Sequence, residues 1–299
     1  MSAPGLLQRV ELAVVDWFLK PAPVATLALI RIMLGLVMVA CMVQYIPDVE
    51  WLFGYDGLLA NVLKRYPDHP LRHHTWLVFG LLTVSSVSFT LGFATRISGL
   101  TAAVMQATVA SSGYFHSWGW STVMPVVLAI VALSPGRNAW SVDAWIAERR
   151  GRPLPRVAPR WSLRLLQVHV MAIYIAAGWH RINDVGWING EMVYAAVANS
   201  MYTRLPYIDP QPLKPVFSVM TWATEIIELV APFFLWVRKA RVPVALGLVL
   251  LHLGLELSAT IGYWQFMMMT LLWVFLPVSW AEGALRRLRI PGAPGPTAG

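Results

Sequence analysis

Charged residues are scarce in this chain of 299 residues, and their scarcity excludes most classes of soluble protein. Asp, Glu, Lys and Arg together make up 13% of the sequence, against a usual share of about 25% in soluble domains. Hydrophobic residues make up 57% of it. This combination predicts an all-α integral membrane protein.

Cysteine and internal repeats are also missing or nearly so. Cys41 is the single cysteine, so no internal disulfide can form and the redox compartment cannot be inferred from it. No internal repeat is visible, which speaks against a transporter built from inverted repeats. The frequent use of Ala, Val, Arg and Pro is typical of a bacterial protein.

Long apolar segments are what the sequence does contain. Each is close to the ~20 residues that a helix needs to cross the hydrocarbon layer, although the third and fourth are short. We therefore predict eight transmembrane helices, over residues 24–46, 76–94, 97–113, 121–135, 161–179, 216–237, 241–261 and 263–280.

The stretch before the first span has a different character. Residues 6–19 place apolar side chains such as Leu7, Val10 and Val14 on one helical face, and most charged ones elsewhere. We predict an amphipathic interfacial helix within residues 1–20, with an ordinary packed helix as the alternative. The transmembrane bundle then covers 21–281, and a basic, then Gly/Pro-rich cytoplasmic tail covers 282–299.

Basic residues are sorted between the two sides of this bundle. With the N-terminus inside, six lie outside and sixteen lie inside, namely Arg9, Lys20, Arg96, Arg137, Arg149, Arg150, Arg152, Arg156, Arg160, Arg164, Arg238, Lys239, Arg241, Arg286, Arg287 and Arg289. The outside ones are Lys64, Arg65, Arg72, Arg181, Arg204 and Lys214. This asymmetry predicts a multi-pass protein of the cell (inner) membrane with both termini cytoplasmic. The net charge of +8 is then a topology signal, and no nucleic-acid partner is expected.

The main inner loop contains the stretch WSVDAWIAERRGR. Ser141 is placed to cap a short helix, with Asp143 near its positive end. Trp140 and Trp145 suit the membrane interface. We interpret the loop as an element of retention and orientation, with a binding role as the alternative.

Residues 176–200, AAGWHRINDVGWINGEMVYAAVANS, are the part least like a bilayer span. They combine His180, Arg181 and Glu191 with two tryptophans, Trp179 and Trp187, which suit the headgroup layer. The stretch therefore predicts a polar, aromatic cap at the outer end of a membrane helix. Headgroup contact by Arg181 is one interpretation, and an anion or acid–base site is the other.

A few ionisable residues fall inside the predicted spans, where an unpaired charge is costly. They are Arg31, His169, Glu225, Glu228, His252 and Glu256. We expect a buried ion-pair network in which Glu228 or Glu256 neutralises Arg31 and His252 is hydrogen-bonded nearby. A metal site on facing helices and a proton relay are the alternatives.

Several short patterns, taken in order, resemble the horizontally transferred transmembrane (HTTM) domain, whose best-known member is the vitamin K-dependent gamma-carboxylase. The resemblance covers roughly residues 20–280. It rests on LIRIMLGLVM, FGYDGLLA, LGFATRISG, LSPGRNAWSVDAW, AAGWHRINDVGWINGEMVYAA, TEIIELVAPFFL and LLHLGLELSATIGYWQFMMM.

The resemblance also implies how this chain departs from the carboxylases. Ala177, Gly178, Trp187 and Gly190 match their central motif, whose Lys pair includes the presumed base of vitamin K oxygenation. That pair falls on His180 and Arg181 here. The chain also lacks the large domain that follows the bundle in carboxylases. Carboxylation of glutamate is therefore not the expected activity, and the assignment leans away from an enzyme.

Three functions are compatible with these observations. The first is a non-catalytic HTTM-type membrane protein that binds a lipid, quinone or peptide partner at the outer face. The second is a quinone-linked, carboxylase-like or redox enzyme that uses His180 and Arg181 as catalytic residues. The third is a small-molecule or proton-coupled transporter. The cofactor is left open, with quinone as a candidate, and the expected binding pocket comprises Trp187, Glu191, Arg31, Glu228, His252 and Glu256.

Overall fold

A computed structural model describes residues 5–54, 56–59, 63, 65–112, 119–205, 209, 211–260 and 262–288. Lys64, the middle of the outer turn at 113–118, and the tail from 289 lie outside these residues. The chain forms two compact units, one of residues 1–166 with 278–299 and one of residues 167–277. We describe each unit separately.

Unit 1 begins with α1 (Leu6–Leu19), strand β1 (Pro21–Pro23) and α2 (Ala25–Tyr45). A 3₁₀ turn (Ile46–Asp48) and α3 (Val49–Phe53) extend α2. Three further helices follow, α4 (Pro70–Leu91), α5 (Thr95–Ala110) and α6 (Gly119–Leu133). Helix α2 packs against α4, α4 against α5, and α5 against α6. Their buried side chains form the core of unit 1, which includes Ile30, Leu34, Met38, Phe79, Leu82, Phe89 and Leu128.

The rest of unit 1 consists, in its described residues, of a second short strand and three helical segments. Helix α7 (Val142–Arg149), strand β2 (Val157–Pro159) and the first residues of α8 (Trp161–Arg181) follow α6. Strands β1 and β2 pair antiparallel, with Ala22 opposite Ala158. The last helix, α14 (Val278–Arg287), packs on α2.

Unit 2 contains the C-terminal part of α8, then the short helices α9 (Val185–Ile188) and α10 (Met192–Ala198). A 3₁₀ turn (Gln211–Leu213) leads into α11 (Lys214–Phe234), and α12 (Arg241–Ser258) packs against it. Helix α13 (Trp264–Leu271) and a 3₁₀ turn (Leu272–Phe275) complete the unit. Its buried stripe on α12 consists of Ala245, Leu248, His252 and Glu256.

The predicted all-α class is confirmed. Seven of the eight predicted spans each overlap one helix, whereas 263–280 is divided among α13, the 3₁₀ turn and the start of α14. Among the described residues, four helical segments are long and apolar enough to cross a bilayer: Ala25–Phe53, Pro70–Leu91, Gln211–Phe234 and Arg241–Ser258. Gly119–Leu133 and Trp264–Phe275 are apolar but shorter. Large apolar side chains are exposed along these helices, for example Val43, Leu250 and Phe233. Such extensive apolar exposure is typical of a surface that contacts lipid or a partner.

Candidate functional site

The polar stretch after α8 folds into two short helices because its sequence supplies a cap and a turn. Asp184 caps α9, and its carboxylate accepts from the backbone N–H of Trp187 at 3.2 Å. Gly190 has a φ of 72°, in the left-handed region that favours glycine. These two features turn the chain back after α8 and bring Trp187 next to the end of that helix.

Arg181 is the last residue of α8 and lies between two partners. Its guanidinium forms an ion pair with the carboxylate of Glu228 on α11. The indole of Trp187 covers the guanidinium at 4.2 Å, a cation–π contact. The Glu228 side chain is only 4% exposed, whereas that of Arg181 is 19% exposed. Two of the residues predicted for the pocket, Trp187 and Glu228, are therefore brought together at Arg181.

Close packing of α8 and of the following segment on α11 fixes this arrangement. A Cβ at Gly178 would lie 2.7 Å from the Leu229 side chain, so α8 approaches α11 closely there. Trp222 donates its indole N–H to the carbonyl of Ile188 at 3.0 Å. The backbone N–H of Val193 donates to the hydroxyl of Thr221 at 3.1 Å. The cap is thus anchored to α11 rather than loose.

A second buried group in unit 2 is a hydrogen-bonded row of three side chains. Tyr174 and the Nε2 of His252 are 2.8 Å apart, and the Nδ1 of His252 is 2.5 Å from the Oε1 of Gln265. Because a carboxamide oxygen only accepts, Nδ1 carries the imidazole proton, and Tyr174 donates to Nε2. All three residues are buried. Arg181 and Glu228 are close enough to act electrostatically on both Tyr174 and His252.

Glu256 lies one helical turn beyond His252 on the buried face of α12. Its Oε1 accepts from Arg204 at 2.5 Å, and Arg204 also donates to the hydroxyl of Thr260 at 3.2 Å. The second carboxylate oxygen, Oε2, is buried and has no hydrogen-bond partner among the described residues. Arg204 is 46% exposed, so this ion pair reaches the surface of the unit.

Two predicted site residues lie apart from these groups. Glu191 is exposed and forms a longer ion pair with Lys214, at 3.5 Å. His180 is exposed, and its side chain forms no hydrogen bond with any residue that the structure describes. The proposed acid–base partner of Arg181 is therefore not joined to the buried polar groups of unit 2.

Arg31 belongs to unit 1, and the ion pair predicted for it is wrong. Its guanidinium donates to three backbone carbonyls of the α6–α7 loop, those of Arg137 at 2.7 Å, Ala139 at 3.0 Å and Trp140 at 2.5 Å. The carboxylates expected to neutralise it pair with Arg181 and Arg204 instead. A loop that turns its carbonyls inward supplies the acceptors that a carboxylate was expected to supply.

The same loop is anchored by Asp143, a role that the sequence reading missed. Ser141 caps α7 as predicted, accepting from the N–H of Ala144 at 2.9 Å. The Asp143 carboxylate, however, accepts from the N–H of Ala94 at 2.8 Å and of Thr95 at 2.9 Å, at the start of α5. Three of the patterns that carried the family resemblance thus meet at Arg31 and Asp143.

The metal-site alternative finds no support in unit 2, where Glu228, His252 and Glu256 each have another partner. In the part of the chain that the structure describes, no three His, Cys, Asp or Glu side chains converge on one point. Tyr174 and Gln265 were also missed as site residues. Both residues are polar side chains within apolar segments, and the same property identified His252 in the sequence.

Comparison with known proteins gives one result. The family model of the HTTM domain matches residues 19–280, which is most of the chain. No curated protein and no solved structure matches the chain significantly.

Proposed function

Since the chain belongs to the HTTM domain family and its described residues include four helical segments long and apolar enough to cross a bilayer, we propose that it binds an amphiphile with an oxygen-bearing head, a lipid or a quinone, at Arg181. The proposed site lies at the C-terminal end of α8 and is lined by Arg181, Trp187 and Glu228. In this role the protein is a binding protein of the membrane.

The proposal rests on the guanidinium of Arg181, because several of its N–H donors have no hydrogen-bond acceptor among the described residues. A guanidinium has five N–H donors in a planar fork. Among the described residues, Arg181 uses this fork for a single partner, Glu228, while Trp187 covers one face of the plane. The rest of the fork is available to an oxygen acceptor, and the 19% exposure of the side chain gives access to it.

The charges around Arg181 favour an uncharged head. Glu228 already neutralises Arg181, and the neighbouring pairs Arg204–Glu256 and Lys214–Glu191 are neutral as well. An anionic head would have to compete with the buried Glu228 carboxylate, whereas a carbonyl or hydroxyl head adds hydrogen bonds without adding charge. A quinone or a neutral lipid therefore suits the site better than a phosphate.

A catalytic role for His180 and Arg181 receives less support. Arginine stays protonated at physiological pH and is a poor proton acceptor. His180 is exposed, without a described side-chain partner that would orient it as a base. We therefore retain the enzymatic reading as the alternative, and it predicts turnover that is lost in His180→Ala.

Binding can be tested with purified protein in nanodiscs, by titrating a short-chain quinone or a neutral short-chain lipid and following Trp fluorescence. Arg181→Lys keeps the positive charge beside Glu228 but removes the planar fork, and we expect affinity to fall about tenfold, one to two hydrogen bonds' worth. Arg204→Lys, in the other ion pair, is the matched control and should leave affinity unchanged. If Arg181→Lys and Arg181→Ala both bind the ligand as tightly as the wild type, the proposed site is wrong.

We also propose that all eight predicted helices cross the cell (inner) membrane, with both termini in the cytoplasm. The overlap of seven apolar segments with one helix each and the sorting of the basic residues support this topology. A reporter fused after Arg289 should be active only as a cytoplasmic reporter. A reporter that proves external at that position overturns the topology.

A further inference from the structure

Helix α1 is physically joined to the arginine-rich segment that precedes α8. Strands β1 and β2 pair directly after α1 and directly before α8. The N–H of Val24 donates to the carbonyl of Arg156 at 3.2 Å, and that of Arg160 donates to the carbonyl of Lys20 at 3.3 Å. Two segments that are far apart in sequence therefore form one continuous surface of unit 1.

Side chains strengthen this junction at the end of α1. Arg160 donates from Nε to the carbonyl of Trp17 at 3.1 Å and from its terminal nitrogen to that of Asp16 at 3.2 Å. The guanidinium of Arg164 lies 4.8 Å from the Trp17 ring. These contacts satisfy carbonyls at the C-terminal end of α1, where a positive charge is also favourable to the helix dipole. They hold α1 in a fixed place beside the arginines.

The apolar residues along the body of α1 are exposed in unit 1. None of its described residues is buried, and Leu7 is 87% exposed. The other exposed apolar side chains of the helix are Leu6, Val10, Leu12, Val14, Val15 and Leu19. An amphipathic helix of this kind gains free energy when it lies at a membrane surface with its apolar side in the acyl boundary.

The arginines next to α1 are exposed to solvent as well. Arg149, Arg150, Arg152 and Arg156 are all exposed, and within the described ranges none of them forms an ion pair. Arg149 stacks on Trp145 at 4.0 Å, which suits an interfacial position. Residues 6–20 and 148–164 together hold eight basic and three acidic residues, a formal net charge of +5.

We propose that α1 and residues 149–160 form a docking surface for the headgroups of anionic phospholipids. The apolar side of α1 supplies membrane affinity without regard to headgroup, and the arginines add selectivity for phosphate-bearing anionic heads. Each basic side chain near an anionic surface contributes about 1 kcal/mol. The proposal is independent of the ligand proposed at Arg181, because it concerns other residues and an opposite charge preference.

Thermal unfolding of the full-length protein in non-ionic detergent tests this surface, with added phosphatidylglycerol, phosphatidylcholine of the same acyl chains, or inorganic phosphate. We expect phosphatidylglycerol to raise Tm by roughly 4 °C at ten times its Kd, and phosphatidylcholine to raise it by less than half as much. The R149Q/R150Q/R152Q/R156Q variant should lose at least half of the phosphatidylglycerol shift. Because these side chains are exposed, its Tm without lipid should match that of the wild type.

The control is R286Q/R287Q, which removes two exposed arginines from α14. It should keep most of the phosphatidylglycerol shift, and R152Q/R156Q, a change of equal charge, should reduce that shift by more. Equal shifts with both lipids in the wild type, or equal losses in the two double variants, would overturn the proposal. A shift reproduced by inorganic phosphate alone would assign the arginines to free anions instead of lipid.

Discussion

Two arginines on apolar helices, Arg31 in unit 1 and Arg181 in unit 2, are held in opposite ways. Arg31 of unit 1 is fully buried and donates to three backbone carbonyls of a single loop. Arg181 of unit 2 is part exposed, pairs with one carboxylate and stacks on one indole. Both side chains carry the same charge, so the difference lies entirely in their acceptors and in their access to the surface.

The comparison separates an arginine that holds a fold from one that can hold a ligand. A Cβ at Gly92 would lie 2.8 Å from a terminal nitrogen of Arg31, so even the backbone around Arg31 leaves no space. The donors of Arg181 are only partly used. An arginine in an apolar helix is therefore a functional candidate when its guanidinium reaches the surface with donors unused, and a structural element when it is fully buried against a loop that accepts most of its donors.

The largest effect is expected from Arg31→Met. The change leaves three inward carbonyls without a donor, and each buried, unsatisfied group costs about 1–3 kcal/mol. We expect a loss of about 4 kcal/mol, seen as a fall in Tm of roughly 10 °C in detergent, or no folded protein. Arg31→Lys should recover only part of the loss, because one ammonium cannot match the fork. Full stability of Arg31→Met would refute the structural role.

The next largest effect is expected at the Arg181–Glu228 ion pair of unit 2, which is compared with Arg31. Arg181→Met leaves the buried Glu228 carboxylate unpaired and should cost about 3 kcal/mol. The double variant Arg181→Met/Glu228→Met removes both charges and should return to within about 1 kcal/mol of the wild type. A double-mutant cycle of Tm or denaturant midpoints measures this. Additive losses in the double variant would contradict the ion pair.

A smaller effect should follow from the second anchor of the Arg31 loop. Asp143→Ala removes the carboxylate that accepts from Ala94 and Thr95, and we expect a loss of about 1–2 kcal/mol. Asp143→Asn keeps one acceptor oxygen and should lose less. Ser141→Ala, which removes the cap of α7, is a matched control for the loss of a single cap in the same loop. If Asp143→Ala costs no more than its control, the loop does not depend on this anchor.

The smallest effect concerns His69, a part-exposed residue that connects the start of α4 to Ser111 at the end of α5. His69 caps α4 by accepting the N–H of Leu71 at its Nδ1, and its Nε2 lies 3.0 Å from the Ser111 hydroxyl. Burial lowers the pKa of His69 below its ordinary value of 6.5, so the neutral form is favoured in the folded state. Stability should be complete above pH 6.5 and fall as the unfolded chain takes up a proton first.

A comparison of wild type with His69→Asn isolates this term. Asn retains a capping oxygen but does not titrate, so its Tm should fall less than that of the wild type between pH 7 and pH 5. We expect the wild type to lose more stability than the variant over this interval, because only the wild type gains a proton at this position on unfolding. Parallel pH profiles of the two proteins would show that His69 does not contribute.

Most helices were predictable from the length of their apolar segments, and seven predicted spans each overlap one helix, whereas the break in the span 263–280 was not predicted. The cap at Ser141 was predictable for a similarly local reason. The partners of Arg31 were not, because backbone carbonyls leave no mark in a sequence and any carboxylate in a span looks like a possible partner. Asp143 was placed at the right helix end by position, although its carboxylate serves α5.

The site in unit 2 was predicted in part. Trp187 and Glu228 meet at Arg181, and His252 is hydrogen-bonded as expected, but to Tyr174 and Gln265. Those partners depend on which faces of three helices meet, and helical period alone does not give that. Arg31 was grouped with these residues because all of them are ionisable side chains within apolar segments, a criterion that does not identify the partners of each one.

The pairing of β1 with β2 also constrains the order of events during synthesis. Arg160 and Trp17, which meet beside these strands, are 143 residues apart. At ~5–20 residues per second, a ribosome needs on the order of ten seconds to cover that distance. For that interval the N-terminal helix has been made but the strand and the arginines that anchor it have not, so its position depends on the lipid surface or a chaperone.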